Sequence, residues 1–433
     1  MFIRLVHAPL MLLLAGLLCM AGPVMAKSLK ETRAEAEQGN ADAQCALGLR
    51  YASGDGVKAD AAAAVEWYRK AITKGHVDAQ RRLGMCYLLG KGVPQDATEA
   101  VKWLQLAAAQ SHVAAMKQLG VCYRLGTGVT KDLAEAVKWL RQAAEHGDAD
   151  AQMELGVAYF EGEGVEQNAA EAVKWFRRAA EQGDLTAQKT LGTTYAQGLR
   201  VPPDLQEAVK WFRKAAEKGD AEGQLRLGMA YSLGAGVPMD LKQAVGLIRK
   251  AAAQEYALAQ LELGECHMHG VGVPKDPAEA VVWYRKAAEQ GEALAQTKLA
   301  AAYFEGTGVE SNVVDAVEWF RKAAEQDFPI AQVGLGSCLL SGKGVAKDEA
   351  QAMKLFRAAA EHGDAEGQFA LSLMYEKGEG VEKQPVEALK WCRLASQQGH
   401  DIAFLHQATL EATLTREQII EAARLEREWR PAK

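Results

Sequence analysis

Residues 151–184 read AQMELGVAYFEGEGVEQNAAEAVKWFRRAAEQGD, and the rest of the chain is organised around this stretch. Variants of the unit that contains it follow one another from Ala41 to His400, ten in all, at a step of 36 residues without insertion. Self-similarity at a period of 20–50 residues marks a solenoid, whose units bury their apolar faces only against their neighbours. The array therefore overrides the two or three globular domains that 433 residues would otherwise suggest.

Each unit carries its own punctuation. A polar residue such as Asp148, Asp184, Asp220 or Asp364 precedes a first helix of about 13 residues and is placed to cap it. Gly162-Glu163-Gly164-Val165 and its counterparts end that helix, with two glycines suited to positive φ and a valine turned back to the core. The second helix opens on Asp96…Glu99, Asp132…Glu135, Asn168…Glu171, Asp204…Glu207 or Asp276…Glu279, the pattern of a capping box. Gly147, Gly183, Gly219 and Gly363 close it.

Helical phase, about 100° per residue, assigns the faces. First-helix positions 3, 4, 7, 8, 10 and 11, in the fourth repeat Ala151, Gln152, Leu155, Gly156, Ala158 and Tyr159, recur and read as the packed face. Positions 2, 5, 6, 9, 12 and 13 vary and are expected to face outwards. In the second helix Ala172, Val173, Trp175, Phe176, Ala179 and Ala180 span an arc wide enough to touch two neighbours, with Lys174, Arg177 and Arg178 expected in water. Three repeats depart from the pattern: Arg200 replaces the second turn glycine, and Leu247 and Leu355 replace the tryptophan. A hinge is expected near Arg200. Residues 27–40 read as an opening half-repeat, and residues 401–433 as closing helices whose polar last member suits a solvent-facing cap.

Residues 1–26 form a separate segment. Arg4 precedes the apolar run Leu10–Ala21, and Val24-Met25-Ala26 ends in small residues, so a secretory signal peptide cleaved after Ala26 is expected. The run is too short to span a membrane as a stable helix. Lipidation at Cys19 is disfavoured because Leu17-Leu18 precede it where small residues are needed. The expected location is periplasmic or secreted. Four of the six remaining cysteines, Cys86, Cys122, Cys266 and Cys338, share the tenth position of their repeats, where others carry Ala158, Ala230 or Ala302. They read as small buried thiols about 10 Å apart, beyond disulfide reach.

The motif A-x-A-Q-x-x-L-G-x-x-Y-x-x-G-x-G-V-x-x-D-x-x-x-A-V-x-W-[FY]-x-x-A-A-x-x-G resembles the Sel-1-like repeat, a relative of the tetratricopeptide repeat, over nearly the whole mature chain. The resemblance implies an all-α fold, an α/α superhelical solenoid of ten helix-turn-helix repeats with terminal capping helices. It also implies a scaffold that binds other proteins, in cell-envelope or signalling assemblies among others. One branch of that family has been linked to β-lactam hydrolysis, but its regular cysteine pair per repeat is absent here. No Ser-x-x-Lys occurs either. No enzyme activity and no cofactor are expected.

Other chemistry is sparse. His267 and His269 of Cys266-His267-Met268-His269 lie about 200° apart on one helix, unsuited to a shared metal. The Gly-x-Gly-Val turns lack the Gly-Lys-Ser/Thr of a phosphate loop. A formal charge of −6, with both signs interspersed, does not point to nucleic acid. The expected site is instead the varying first-helix face, taken as the concave side, and the expected partner a protein or peptide with an acidic stretch followed by an apolar one. Repeats two to five offer Arg81, Arg82, Lys117, Arg124 and Lys189, with Phe160 nearby. Repeats six to ten offer Leu225, Leu261, Phe304, Val333, Leu340 and Phe369, together with Leu258, Leu294 and Ile330. Two alternatives stand beside this. The same apolar side chains would pack between adjacent helices in a tightly wound coil. A glycan or peptidoglycan fragment would use Phe160, Glu161, Phe304 and Glu305.

Overall fold

The structure, a computed structural model, describes residues 27–431, so the expected signal segment lies outside the described residues. These residues form twenty-three α-helices, and no strand occurs among them. Helix α1 (Leu29–Glu37) precedes the array. First helices are α2 (Ala41–Ser53), α4 (Val77–Leu89), α6 (Val113–Leu125), α8 (Ala149–Glu161), α10 (Leu185–Gln197), α12 (Ala221–Leu233), α14 (Ala257–His269), α16 (Ala293–Glu305), α18 (Pro329–Ser341) and α20 (Ala365–Lys377). Second helices are α3 (Ala61–Ile72), α5 (Ala97–Ala108), α7 (Leu133–Glu145), α9 (Ala169–Glu181), α11 (Leu205–Glu217), α13 (Leu241–Ala252), α15 (Pro277–Glu289), α17 (Val313–Ala324), α19 (Glu349–Glu361) and α21 (Pro385–Gln397). Helices α22 (Asp401–Thr413) and α23 (Arg416–Glu428) follow. None of these helices is long and apolar enough to cross a membrane.

The described residues divide into two compact units, with the boundary between Pro203 and Asp204. The boundary falls in the fifth repeat's turn, three residues after Arg200. Within each unit the arrangement is an all-α solenoid: a second helix packs on its own first helix and on the first helix of the following repeat. That double contact is what the broad apolar arc of the second helix requires. Ala172, Phe176, Ala179 and Ala180 of α9 are buried, and Phe176 occupies the space where a Cβ on Gly156 would stand 2.5 Å from its ring.

The turn joins repeats as well as ending a helix. Gly162 caps α8 in the left-handed region at φ 80°. A Cβ on Gly164 would lie 2.1 Å from the carbonyl oxygen of Leu133, the first residue of α7 in the preceding repeat. The second glycine thus sets how closely one repeat approaches the next.

Side-chain hydrogen bonds tie the repeats together. Arg69 donates to the Tyr87 hydroxyl at 2.9 Å, Arg141 to Tyr159 at 2.6 Å and Arg177 to Tyr195 at 3.0 Å. Arg177 was expected in water. Its guanidinium instead reaches the tyrosine of the following first helix. The tryptophans are buried or half-buried, with Trp211 only 1% exposed, and a cation covers several rings, as Lys322 does at 3.9 Å from the Trp319 centroid.

Only half of each expected capping box forms in the array. Asp96 accepts the Glu99 N–H at 2.9 Å, but its own N–H is taken by the Tyr87 carbonyl at 3.0 Å, so Glu99 turns outwards to Lys102. Both halves form at Ser28/Glu31 and Thr415/Gln418. Among the first helices, α14, α16 and α18 lack a side-chain cap hydrogen bond, their N-cap residues being Tyr256, Glu292 and Phe328. The six cysteines of the described residues are free, and burial pushes the Cys86 and Cys122 thiols up to about 11.

Candidate functional site

The expected recognition face was defined by the phase of one helix. What the structure adds is the distance to the next. Lys117, at position 5 of α6, places its Nζ 2.6 Å from Asp150 and 3.2 Å from Asp148 of the fourth repeat. Arg124, at position 12, lies 3.3 Å from Glu154, at position 6 of the same neighbour. Successive first helices therefore meet through the varying residues themselves.

Exposure follows from that contact. In the first unit Arg81, Lys117 and Phe160 are buried, while Arg82, Arg124 and Lys189 are half-buried. In the second unit Leu225, Leu261 and Phe369 are buried, and Phe304, Val333 and Leu340 are half-buried against the core. Leu258 and Ile330 are exposed. The expectation that all these side chains face outwards is corrected for Arg81, Lys117, Leu225, Leu261 and Phe369 at position 5 and for Phe160 at position 12, which are buried. Contacts such as those of Lys117 with Asp150 and Asp148 close the space between neighbouring first helices there. Position 9, as in Met85, Val157 and Met229, stays half-buried.

Polar groups gather at the second repeat. Asp78 accepts from Arg81 Nε at 2.8 Å and Arg82 Nε at 2.6 Å, and His112 Nε2 stands 3.3 Å away. Burial acts to raise the Asp78 carboxyl, but the His112 contact and the two guanidinium groups outweigh it and hold it far below the usual carboxylate range. Burial likewise acts against the Lys117 charge, and Asp150 and Asp148 reverse it, so its pKa is raised. At Glu154 burial prevails over Arg124 and Lys117, and the carboxyl is pushed up.

Beside the two arginines that pair with Asp78 lies a pocket of about 50 Å³. Its apolar wall comes from Ala52, Ala61, Ala64, Met85 and Leu89, with Tyr68 and Cys86 beside them, and Arg81, Arg82 and Lys91 bring the charge. Two guanidinium groups that pair with Asp78 and the Lys91 ammonium thus line an apolar floor, an arrangement that favours an anionic group with a short apolar stem. Tyr68, Asp78, Met85 and Lys91 were not anticipated here. Tyr68 belongs to a second helix and Lys91 to the variable place of a Gly-x-Gly turn, and phase within one helix brings neither to α4.

The remaining expected groups are scattered. Phe160 lies under the Arg200 guanidinium, 4.9 Å from ring centroid to Cζ, and Arg200 also donates to the Phe160 carbonyl. This leaves Phe160 no open aromatic face. In the second unit Glu265 accepts from Tyr284 at 2.5 Å and from Lys298 at 3.2 Å. Glu262 beside it is pushed up by burial and by the Glu265 charge. His269 is exposed, 3.6 Å from Glu265, whereas His267 is half-buried and its Nδ1 has no hydrogen-bond partner.

Ten segments between residues 41 and 400 match the family model described as the Sel1 repeat, from 41–76 to 365–400. The chain is similar to a protective antigen present in uropathogenic Escherichia coli strains and displaying an SLR fold. The two are 37% identical over 93% of this chain and 94% of that one, with a TM-score of 0.62. It is also similar to a Sel1 repeat protein from Oxalobacter formigenes, at 28% identity over 82% of this chain and 98% of that one, with a TM-score of 0.59. Comparison with curated proteins gave no match.

Proposed function

Because this chain belongs to the Sel1 repeat family, we propose that it is an exported scaffold whose first-helix face recognises another protein or peptide in a cell-envelope or signalling assembly. Sel1 and related repeats generally bind other proteins, and the reading that goes further rests on the pocket at the second repeat. Arg81, Arg82 and Lys91 against the single Asp78 suit an acidic side chain of the partner, and Met85 and Leu89 suit the carbon stem below it. The packed positions hold the array, and the half-buried varying position 9, Met85, Val157 and Met229 among others, differs from repeat to repeat, as selective recognition needs. Export is supported by the apolar run and small-residue end of residues 1–26. A glycan partner is less well supported, since Phe160 has no open face for a sugar ring to stack on.

A photo-crosslinking residue placed at Met85, on the pocket, and at Lys102, on an exposed second-helix face, tests the assignment in native cells. Crosslinks to a defined protein from Met85, absent from Lys102 and lost on adding Lys91→Glu, are expected. Equal capture from both positions, or capture indifferent to Lys91→Glu, would remove the first-helix face as the site. Amino-terminal sequencing of the native protein should find Lys27 first, and an intact leader on a cytoplasmic protein would refute export.

A further inference from the structure

Helix α22 is an eleventh helix of the first type, and its near side is used as in every repeat. His400 caps it, Nδ1 accepting the Ala403 N–H at 3.0 Å, as His76 does for α4 at 3.1 Å. Phe369, at position 5 of α20, packs on His400 and His406 with ring centroids 4.7 and 5.9 Å away. The far side of α22 is different. Leu405, its own position 5, is 71% exposed, Phe404 67% and Ile402 63%. At the same position in repeats six, seven and ten, Leu225, Leu261 and Phe369 are 4–8% exposed. The last helix, expected as a solvent-facing cap, does not cover this face. Helix α23 packs back on α21 instead, with Trp429 edge-on to Trp391 at 5.9 Å.

We infer that α22 pairs with α22 of a second copy of this chain, giving a two-fold symmetric dimer. Elsewhere in the array the occupant of this surface is another first-type helix of the same chain, so the interface continues one already built into each unit. Ile402, Leu405, Thr409 and Ala412 fall at 3-4-3 spacing, all exposed, the seam of a two-helix coiled coil. None of the four carries a charge, so placing the stripe against itself brings no like-charge repulsion. The first of the described helices is an unsuitable counterpart: Lys30, Glu31, Arg33 and Glu37 of α1 are exposed and polar. Head-to-tail growth is thereby disfavoured and a closed, isologous pair favoured. Pairing doubles the recognition faces per assembly and raises avidity for a repeated partner.

Sedimentation equilibrium on the protein as its host matures it, from about 1 to 200 µM, tests this. A reversible monomer–dimer equilibrium is expected, weakened at least about 100-fold by Leu405→Glu. The exposed control Leu258→Glu should leave it unchanged. Circular dichroism of both variants should match the parent, since neither side chain is buried. A monomer throughout the range, or a dimer indifferent to Leu405→Glu, would overturn the pairing, as would an α22 face found covered by residues 1–26 or by an unrelated protein.

Discussion

In the fourth repeat Gln182 Nε2 donates to Gln152 Oε1 at 2.8 Å, while Gln152 Nε2 donates to the Ala144 carbonyl of the preceding repeat at 3.0 Å. The buried amide thus joins its own repeat to the one before. The same inner bond links Gln110 to Gln80, Gln254 to Gln224, Gln290 to Gln260, Gln326 to Gln296 and Gln398 to Gln368. It fails where the donor is changed. Lys74 stands at that place in the first repeat, and Gln44 Oε1 is buried without a partner. In the ninth, His362 turns to the Ala358 carbonyl and Gln332 Oε1 is left alone.

Restoring the donor should stabilise the first repeat. Lys74→Gln is expected to add about 0.5–1.5 kcal/mol, and Gln182→Ala to remove about 1–2 kcal/mol by orphaning Gln152 Oε1. Urea midpoints measure both, and a Lys74→Gln midpoint equal to the parent's would refute the assignment.

The Asp78 carboxyl is depressed, so it stabilises the fold above its unfolded value near 3.9, and that stabilisation is lost as pH falls through the lower folded value. Asp78→Asn should cost about 2 kcal/mol at pH 7, less than the 3–5 of a fully buried pair because the site is partly hydrated. The gap between variant and parent should narrow below about pH 4. Stability measured from pH 2 to 8 checks this, and a gap independent of pH would count against it.

Gly164 and Gly75 both sit at positive φ, 72° and 79°, but only Gly164 faces a backbone oxygen. Gly75→Ala should cost about 1–2 kcal/mol, the dihedral penalty alone. Gly164→Ala should exceed it by about 1–3 kcal/mol because repeats three and four must part. Thermal denaturation of the two variants separates the effects; equal losses would show that the second turn glycine is needed for its dihedral only.

The Arg141–Tyr159 contact joins one repeat's second helix to the next repeat's first. A double-mutant cycle with Arg141→Ala and Tyr159→Phe should give a coupling of about 0.5–1.5 kcal/mol. Zero coupling would mean that the arginine is held by solvent alone, as its phase on the helix suggests.

The period, the two helices per repeat, the caps at Asp148 and Asp184 and the left-handed turn at Gly162 could all be read from the chain, because each depends on residues within a few positions of one another. So could the tight place at Gly156, since small residues recur where a large side chain lies opposite. The fate of the varying face could not. Helical phase gives the direction of a side chain around its own axis, but not how far away the next helix lies in that direction. That distance is set by packing between repeats, and it places Lys117 and Leu225 inside while leaving Met85 half open. The same reason separates Leu261 from Leu405. Both are leucines at position 5 of a first-type helix, and one is sealed while the other is exposed because α16 packs over Leu261, whereas α23 turns back on α21 and leaves Leu405 uncovered within the chain.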